Sequence, residues 1–477
     1  MKAKNILKNS TLLFLILLPF FSLEIFYTHL STLLMVSGVL LLTLLTIIFY
    51  KESRRVLKYL LFYYLLVLIY FLISYFYSFS FTSLVPGNFD YNIMKEALTI
   101  LKLIMPITFL FTLKYQKISK PEYFRICKIW VLLFAGSIII TNFFKVSFSA
   151  YGTEFITKNI WEWNQTNYYI ETASRGLFMY ANQISLLLVL LLVIFVYYYL
   201  NDNLKSLFYI TLLVLSMLMV GTRVASVGGL LVFIILIGLY FLLITFKKEY
   251  FNINVTYLLL PLGMWFLLLP ISPYNNRSVE LSKEQINVNV DGQADVENSW
   301  KKEYVLEHYN PNYLPKVFFL EYYPIDYDED FWYNFVSTHD ESNLNYRLIE
   351  KSIIKRVIEV DGRRLDKWLG ISNTRIQNIV NIESDWVLHY YAFGLLGTVI
   401  LLFCYLKLFY QAFKMLIKDF NFKSIIDLVL ISLLILISFL TGNILNSLNV
   451  VLICVFIISE FGVKYEEVYD KSKRNQK

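Results

Sequence analysis

The chain repeatedly produces apolar runs long enough for a helix to cross a bilayer, and this constrains its fold more than any other feature. A crossing takes roughly 20 mostly apolar residues. Runs that meet or approach this length lie near Thr11–His29, Ser31–Tyr50, Leu57–Ser78, Ala97–Leu113, Trp130–Phe148 and Leu177–Leu200. The others lie near Leu207–Val220, Ala225–Phe246, Val255–Ile271, Trp386–Tyr410, Ser424–Leu440 and Leu445–Phe461. The expectation is an all-α polytopic membrane protein of about twelve transmembrane helices. Composition agrees: 57% of residues are hydrophobic and 17% charged, against about 25% charged in soluble globular domains. With 17 Gly and 3 Cys in 477 residues, collagen-like and disulfide-rich scaffolds are excluded as well. Glu24 in the first run, and the second run directly behind it, read as a spanning helix and not a cleaved signal peptide.

Lysine and arginine near span ends stay in the cytoplasm. With twelve spans, Lys51, Arg54, Arg55 and Lys58 fall on one side with the Lys114–Lys128 group, Lys247, Lys248 and the Lys407–Lys423 group. Both termini fall on that side, which the rule makes cytoplasmic. The expected organisation is an N-terminal bundle of about nine helices (1–272), an extracytoplasmic subdomain (273–384), C-terminal transmembrane helices (385–462) and a cytoplasmic tail (463–477). The outer segment holds 13 basic and 19 acidic residues, a net of −6. The remaining 30 basic and 17 acidic residues leave the rest of the chain at +13. The basic excess is therefore an orientation signal, and no nucleic-acid partner is expected. Cys127, Cys404 and Cys454 are far apart in or beside spans, which implies neither a disulfide framework nor a zinc site.

Charge inside a membrane is costly, so such residues are functional candidates by default. Arg223 stands between two apolar runs in Val220-Gly-Thr-Arg-Val-Ala-Ser-Val-Gly-Gly229. It reads either as a snorkelling anchor or as a guanidinium fork for a phosphate or pyrophosphate. Arg175, before Asn182 and Gln183, is a second candidate cation, and Lys102 inside the fourth run a third. Asn182 serves equally well as a helix–helix hydrogen bonder. In the outer segment, Asn345–Val360 reads as an amphipathic helix with Arg347, Lys351 and Lys355 on one face. That face is either simply solvated or laid against anionic headgroups or a lipid-linked diphosphate. Glu383, Asp385 and His389 lead back into the membrane. They are either general bases raised toward neutrality by partial burial or a polar helix N-terminus. The acidic run Asp326–Asp330 reads as a solvated loop, with a metal or nucleotide-sugar motif as the alternative.

Taken in order, these features resemble the O-antigen ligase and polysaccharide polymerase family. The resemblance rests on Gly221-Thr222-Arg223 between two helices, on Arg175-Gly176 leading to Asn182, on Arg347, and on the Leu369-Gly370-Ile371-Ser372 turn. It also rests on the frame before Gly394-Leu-Leu-Gly397. Ligases of the family carry a histidine there, whereas counting back eleven residues from Gly394 lands on Glu383. The acidic residue is similar to those of the family's polymerases.

The resemblance implies polymerisation of undecaprenyl-diphosphate-linked repeat units into a surface polysaccharide. This would be an inverting glycosyl transfer at the outer face of the bacterial cytoplasmic membrane, with no cofactor, nucleotide or metal. Its implied partners are lipid-linked donor and acceptor, the bilayer, a chain-length regulator and a flippase. Implied catalytic residues are Glu383, Arg223, Arg347, Asp385 and His389. Substrate would be bound by Arg175, Asn182, Lys102, Lys351 and Lys355. The alternatives are a ligase of the same fold and a polysaccharide flippase or other transporter.

Overall fold

A computed structural model describes residues 2–26, 29–82, 91–116, 118–201, 204–247, 255–276, 300–308, 323–339, 346–379, 382, 384–442 and 444–462. Among these the regular structure is helical, with three isolated β-bridges. The helices are α1 (Lys2–Leu17), α2 (His29–Phe49), α3 (Ser53–Ser78), α4 (Ile93–Gln116), α5 (Lys120–Val131), α6 (Ser137–Phe143) and α7 (Tyr169–Thr172). Then come α8 (Ala181–Leu200), α9 (Ser206–Val220), α10 (Gly229–Lys247), α11 (Leu259–Leu268), α12 (Trp300–Glu307), α13 (Glu329–Thr338) and α14 (Tyr346–Asp361). Last are α15 (Asp366–Leu369), α16 (Asn373–Ile379), α17 (Asp385–Leu401), α18 (Phe403–Lys418), α19 (Phe422–Leu440) and α20 (Leu448–Gly462).

Nine helices among the described residues are long and apolar enough to cross a membrane, where the sequence suggested twelve. The difference has three physical sources. The run Trp386–Tyr410 is two helices, α17 and α18, bent by 47°. The other two, α9 and the last apolar helix, fall short of the length a straight crossing takes. Several boundaries also shift. The first helix starts at Lys2 and turns 3₁₀ at Leu18–Ser22, where Pro19 cannot continue an α-helix. The fifth span starts at Lys120 behind a Ser119–Glu122 capping box and passes through a π-helical turn at Leu132–Gly136. The sixth begins only at Ala181, because the preceding residues belong to a folded loop.

The chain forms two compact units. The first comprises Met1–Leu60, Lys102–Glu280 and Cys404–Lys477. Its centre is α8, in which every residue from Gln183 to Val196 is buried. A helix apolar on all sides belongs in the middle of a bundle, and α9, α10, α19 and α20 surround it. Polar pins fix the packing: Trp130 donates to the Leu15 carbonyl at 3.0 Å, Tyr123 to the Ile457 carbonyl at 2.9 Å, and Thr43 and Thr112 meet at 2.8 Å. Cys127, Cys404 and Cys454 are buried.

The second unit, Leu61–Leu101 with Leu281–Phe403, is not the outer segment alone. It joins residues of that segment to α17, most of α3 and the start of α4. On α14, Ile349, Ile353, Ile354 and Val357 are buried, so the expected amphipathic helix is present. Across from it the acidic run is ion-paired and not merely solvated. Asp326 meets Lys302 at 2.6 Å, Asp330 meets Lys301, and Asp328 takes a two-pronged contact from Arg356 at 2.6 and 3.1 Å. Asp328 also caps α13 through the Phe331 amide. Burial alone would raise its carboxyl, but Arg356 and Tyr323 outweigh that and hold it below the ordinary carboxylate range.

Candidate functional site

In the first unit, α9 ends at Gly221 with φ 65°. An added Cβ there would lie 2.8 Å from the Pro273 Cβ, so the turn needs glycine twice over. Thr222 follows, its Oγ1 2.6 Å from Ser185 Oγ and accepting the Ala225 amide. These contacts anchor the next turn, a π-helical stretch at Val224–Gly228. Arg223 sits between them, exposed. Its backbone is held on both sides while its guanidinium faces outward.

Arg175 is the opposite case. It is buried, and its guanidinium donates to the carbonyls of Ser149 (2.8 Å), Phe178 (2.9 Å) and Gly152 (2.8 Å) and to Glu24 (2.9 Å). Four of its five N–H groups hold the loop before α8 together. A substrate anion at Arg175 would have to displace those bonds. Asn182 is half-buried in the first turn of α8, and Lys102 is half-buried in α4.

In the second unit, Arg347, Lys351 and Lys355 share an exposed face of α14, with Lys355 3.7 Å from Glu359. Asp385 and His389 are both buried on α17. Glu383 lies outside the described residues. The start of α17 packs on α15 and α16 through a crossing of two glycines, Gly370 and Gly394. Around that crossing the structure gathers residues that the sequence reading missed.

These are Arg363, Arg375, Asp361, Asp366, Glu96 and Tyr77. Arg363 donates to Asp361 Oδ2, to the Tyr77 carbonyl at 2.6 Å and to Ser80 Oγ at 3.3 Å, and pairs with Asp366 at 2.9 Å. Its guanidinium lies 4.2 Å from the Tyr77 ring. Arg375 donates to the Ser78 carbonyl at 2.9 Å and lies 4.4 Å from the Phe81 ring. The last carbonyls of a helix lack intrahelical donors and carry negative partial charge, so the two arginines cap α3. Glu96 accepts the amides of Asn373 (3.1 Å) and Thr374 (2.9 Å), which fixes the turn that carries Arg375.

The two arginines and the three carboxylates thus largely neutralise one another within the cluster. Glu96 was findable from sequence, because a carboxylate in the first turn of an apolar helix obeys the same rule that flagged Lys102.

The apolar helices, the broken α17 and the exposed and buried arginines define a multi-pass helical membrane protein with fixed cationic groups. The chain matches the family described as O-antigen ligase like membrane protein over residues 4–467, and it belongs to that family. The family is one of membrane glycosyltransferase-like enzymes that act in surface polysaccharide assembly. No curated protein matches the chain.

Proposed function

We propose that the protein polymerises undecaprenyl-diphosphate-linked oligosaccharide repeat units by inverting glycosyl transfer, using neither nucleotide nor metal. The observation that carries this reading is Arg223, an exposed guanidinium on a fixed turn in a chain of this family. The acceptor hydroxyl attacks the anomeric carbon of the donor glycan. The bond from that carbon to the diphosphate oxygen breaks, and undecaprenyl diphosphate leaves with the electron pair. Arg223 stabilises the charge growing on the leaving group, which is commonly the largest electrostatic contribution. Arg347 on α14 is the second cation for the lipid-linked substrates, with Lys351 and Lys355 beside it. Glu383 accepts the hydroxyl proton, and its acidic character favours polymerase over ligase. Asp385 and His389 are the reserve bases. A surface polymer such as a capsule, O-antigen or exopolysaccharide is the product.

Purified protein in proteoliposomes, given lipid-linked repeat unit and no energy source, should yield a ladder of longer glycans. Transfer only to a different, non-prenyl acceptor would replace this reading with a ligase, and no transfer at all would favour a flippase. Arg223→Lys keeps the charge and loses the fork. It should sharply lower polymerisation at unchanged membrane levels, and wild-type rate in that variant would reduce Arg223 to an interfacial anchor.

The proposed orientation puts both termini in the cytoplasm and the segment holding α12–α14 on the outer side of the cytoplasmic membrane. On intact cells an impermeant thiol reagent should label a cysteine at Asn334 and spare one at Ser472. The reverse pattern would overturn both orientation and mechanism.

A further inference from the structure

Residues 362–375 run alongside two apolar helices and not clear of them. The stretch begins at the end of α3, where Arg363 meets the Tyr77 carbonyl and the Leu365 amide meets the Tyr77 hydroxyl at 3.2 Å. It then descends. Tyr70 Oη lies 3.1 Å from the Leu369 carbonyl and 2.8 Å from the Phe393 carbonyl. The Ile371 and Ser372 amides donate at 3.0 Å to the carbonyls of Tyr391 and Ala392 on α17. The chain then climbs back, and Arg375 returns to the Ser78 carbonyl at the end of α3.

Helix rise converts these contacts into depth. Tyr70 lies eight residues before the end of α3, about 12 Å along its axis, and Phe393 lies equally far from the start of α17. The 26-residue α3 is about 39 Å long, against a hydrocarbon core of roughly 30 Å. A centred α3 therefore overhangs by about 5 Å at each end, which leaves the lowest point of the excursion about 7 Å inside the apolar layer. Non-helical backbone at that depth needs internal partners, and the bonds from Tyr70, Ile371 and Ser372 supply them.

The side chains agree with this position. Leu365 is 49% and Trp368 54% exposed, and Ile69, Leu72, Ile73 and Phe76 are exposed on the part of α3 that includes Tyr70 and Tyr77. Arg364 and Lys367 are exposed beside them. Large apolar groups with tryptophan and long-stemmed cations form the pattern of a membrane interface, where the stems carry charge up to anionic headgroups.

We infer that residues 362–375 form a re-entrant segment whose exposed face of Arg364, Leu365, Lys367 and Trp368 docks on the lipid bilayer at the boundary of hydrocarbon and anionic headgroups. This stands apart from the transferase reading, because it depends on none of the residues assigned to the chemistry.

The test places an environment-sensitive NBD label on Trp368→Cys, Leu365→Cys and, as an aqueous control, Asn334→Cys in the full chain. The three native thiols are buried. Labelled protein is reconstituted in phosphatidylcholine–phosphatidylglycerol vesicles with or without brominated acyl chains. Emission from positions 365 and 368 should fall in brominated vesicles and resist aqueous iodide, while position 334 should do the reverse. Quenching at 365 and 368 by iodide alone would place the segment in water. Quenching by neither would mean that protein covers the face, a second copy included. Either result overturns the proposal. The Leu365 variant answers the question if Trp368→Cys does not fold.

Discussion

Gly394→Ala should leave little folded protein, the largest stability effect expected of any single methyl group in the second unit. Gly394 has φ 62° and ψ −176°, and its partner Gly370 has φ 75° and ψ 178°. Both conformations are essentially closed to residues with a Cβ. A Cβ on Gly394 would lie 2.2 Å from the Trp368 carbonyl carbon, and one on Gly370 2.2 Å from the Ala392 oxygen. Each glycine therefore makes room for the backbone that carries the other, and neither contact ends on a flexible side chain that could swing away. Strain of about 1–3 kcal/mol and overpacking of similar size together approach the whole stability of a marginal domain, which is about 5–15 kcal/mol. Size-exclusion profiles and thermal unfolding in detergent measure this. Gly238→Ala and Gly263→Ala are the controls, since nothing lies within 4 Å of an added Cβ at either position. A Gly394→Ala protein as stable as those controls would mean that the crossing is not formed as described.

The largest effect on activity is expected from Glu383→Gln. The substitution keeps size and polarity but removes the oxygen that accepts the acceptor's proton, and a positioned base contributes typically about 10²–10⁴-fold. Glycan extension should fall by that order while binding of the lipid-linked donor stays nearly intact. Glu383→His should keep partial activity if an imidazole can serve in this frame. Asp385→Asn and His389→Gln complete the set. Their burial on α17 favours a supporting part, so each should cost less than Glu383→Gln. An active Glu383→Gln with a dead Asp385→Asn would move the base two residues along the chain. Activity in all three variants would leave the arginines as the only source of catalysis.

Much of the membrane architecture was legible because its signal is local: a stretch of twenty apolar residues announces itself without reference to the rest of the chain. The buried face of α14 was legible for the same reason, since Ile349, Ile353 and Val357 recur at the helical period. Where pairing across the sequence decides, the reading thinned. Arg175 looked like a free cation until the fold brought Glu24 and three carbonyls to it. Arg363 and Arg375 looked like two charges among many in a charged segment, and only the carbonyls ending α3 give them a defined position. The kink inside α17 was hidden because Gly394 is tolerated inside apolar helices; its left-handed φ goes with a partner glycine 24 positions earlier in the chain. The acidic run is a similar case, its three aspartates being matched by cations from α12 and α14.

The contacts around the first helix also set an order of assembly during synthesis. Glu24 leaves the ribosome 151 residues before Arg175, a wait of roughly 8–30 s at ordinary elongation rates. Ser22, which receives the Asn449 amide, waits through 427 residues, roughly 20–85 s. For that time the turns that follow α1 stand beside the growing bundle with Glu24 unneutralised and Ser22 unmatched. Their seat is completed only when α20 arrives. Chains cut short before α20 are therefore left with a Ser22 that has not met its partner, so a late segment completes the packing of an early one.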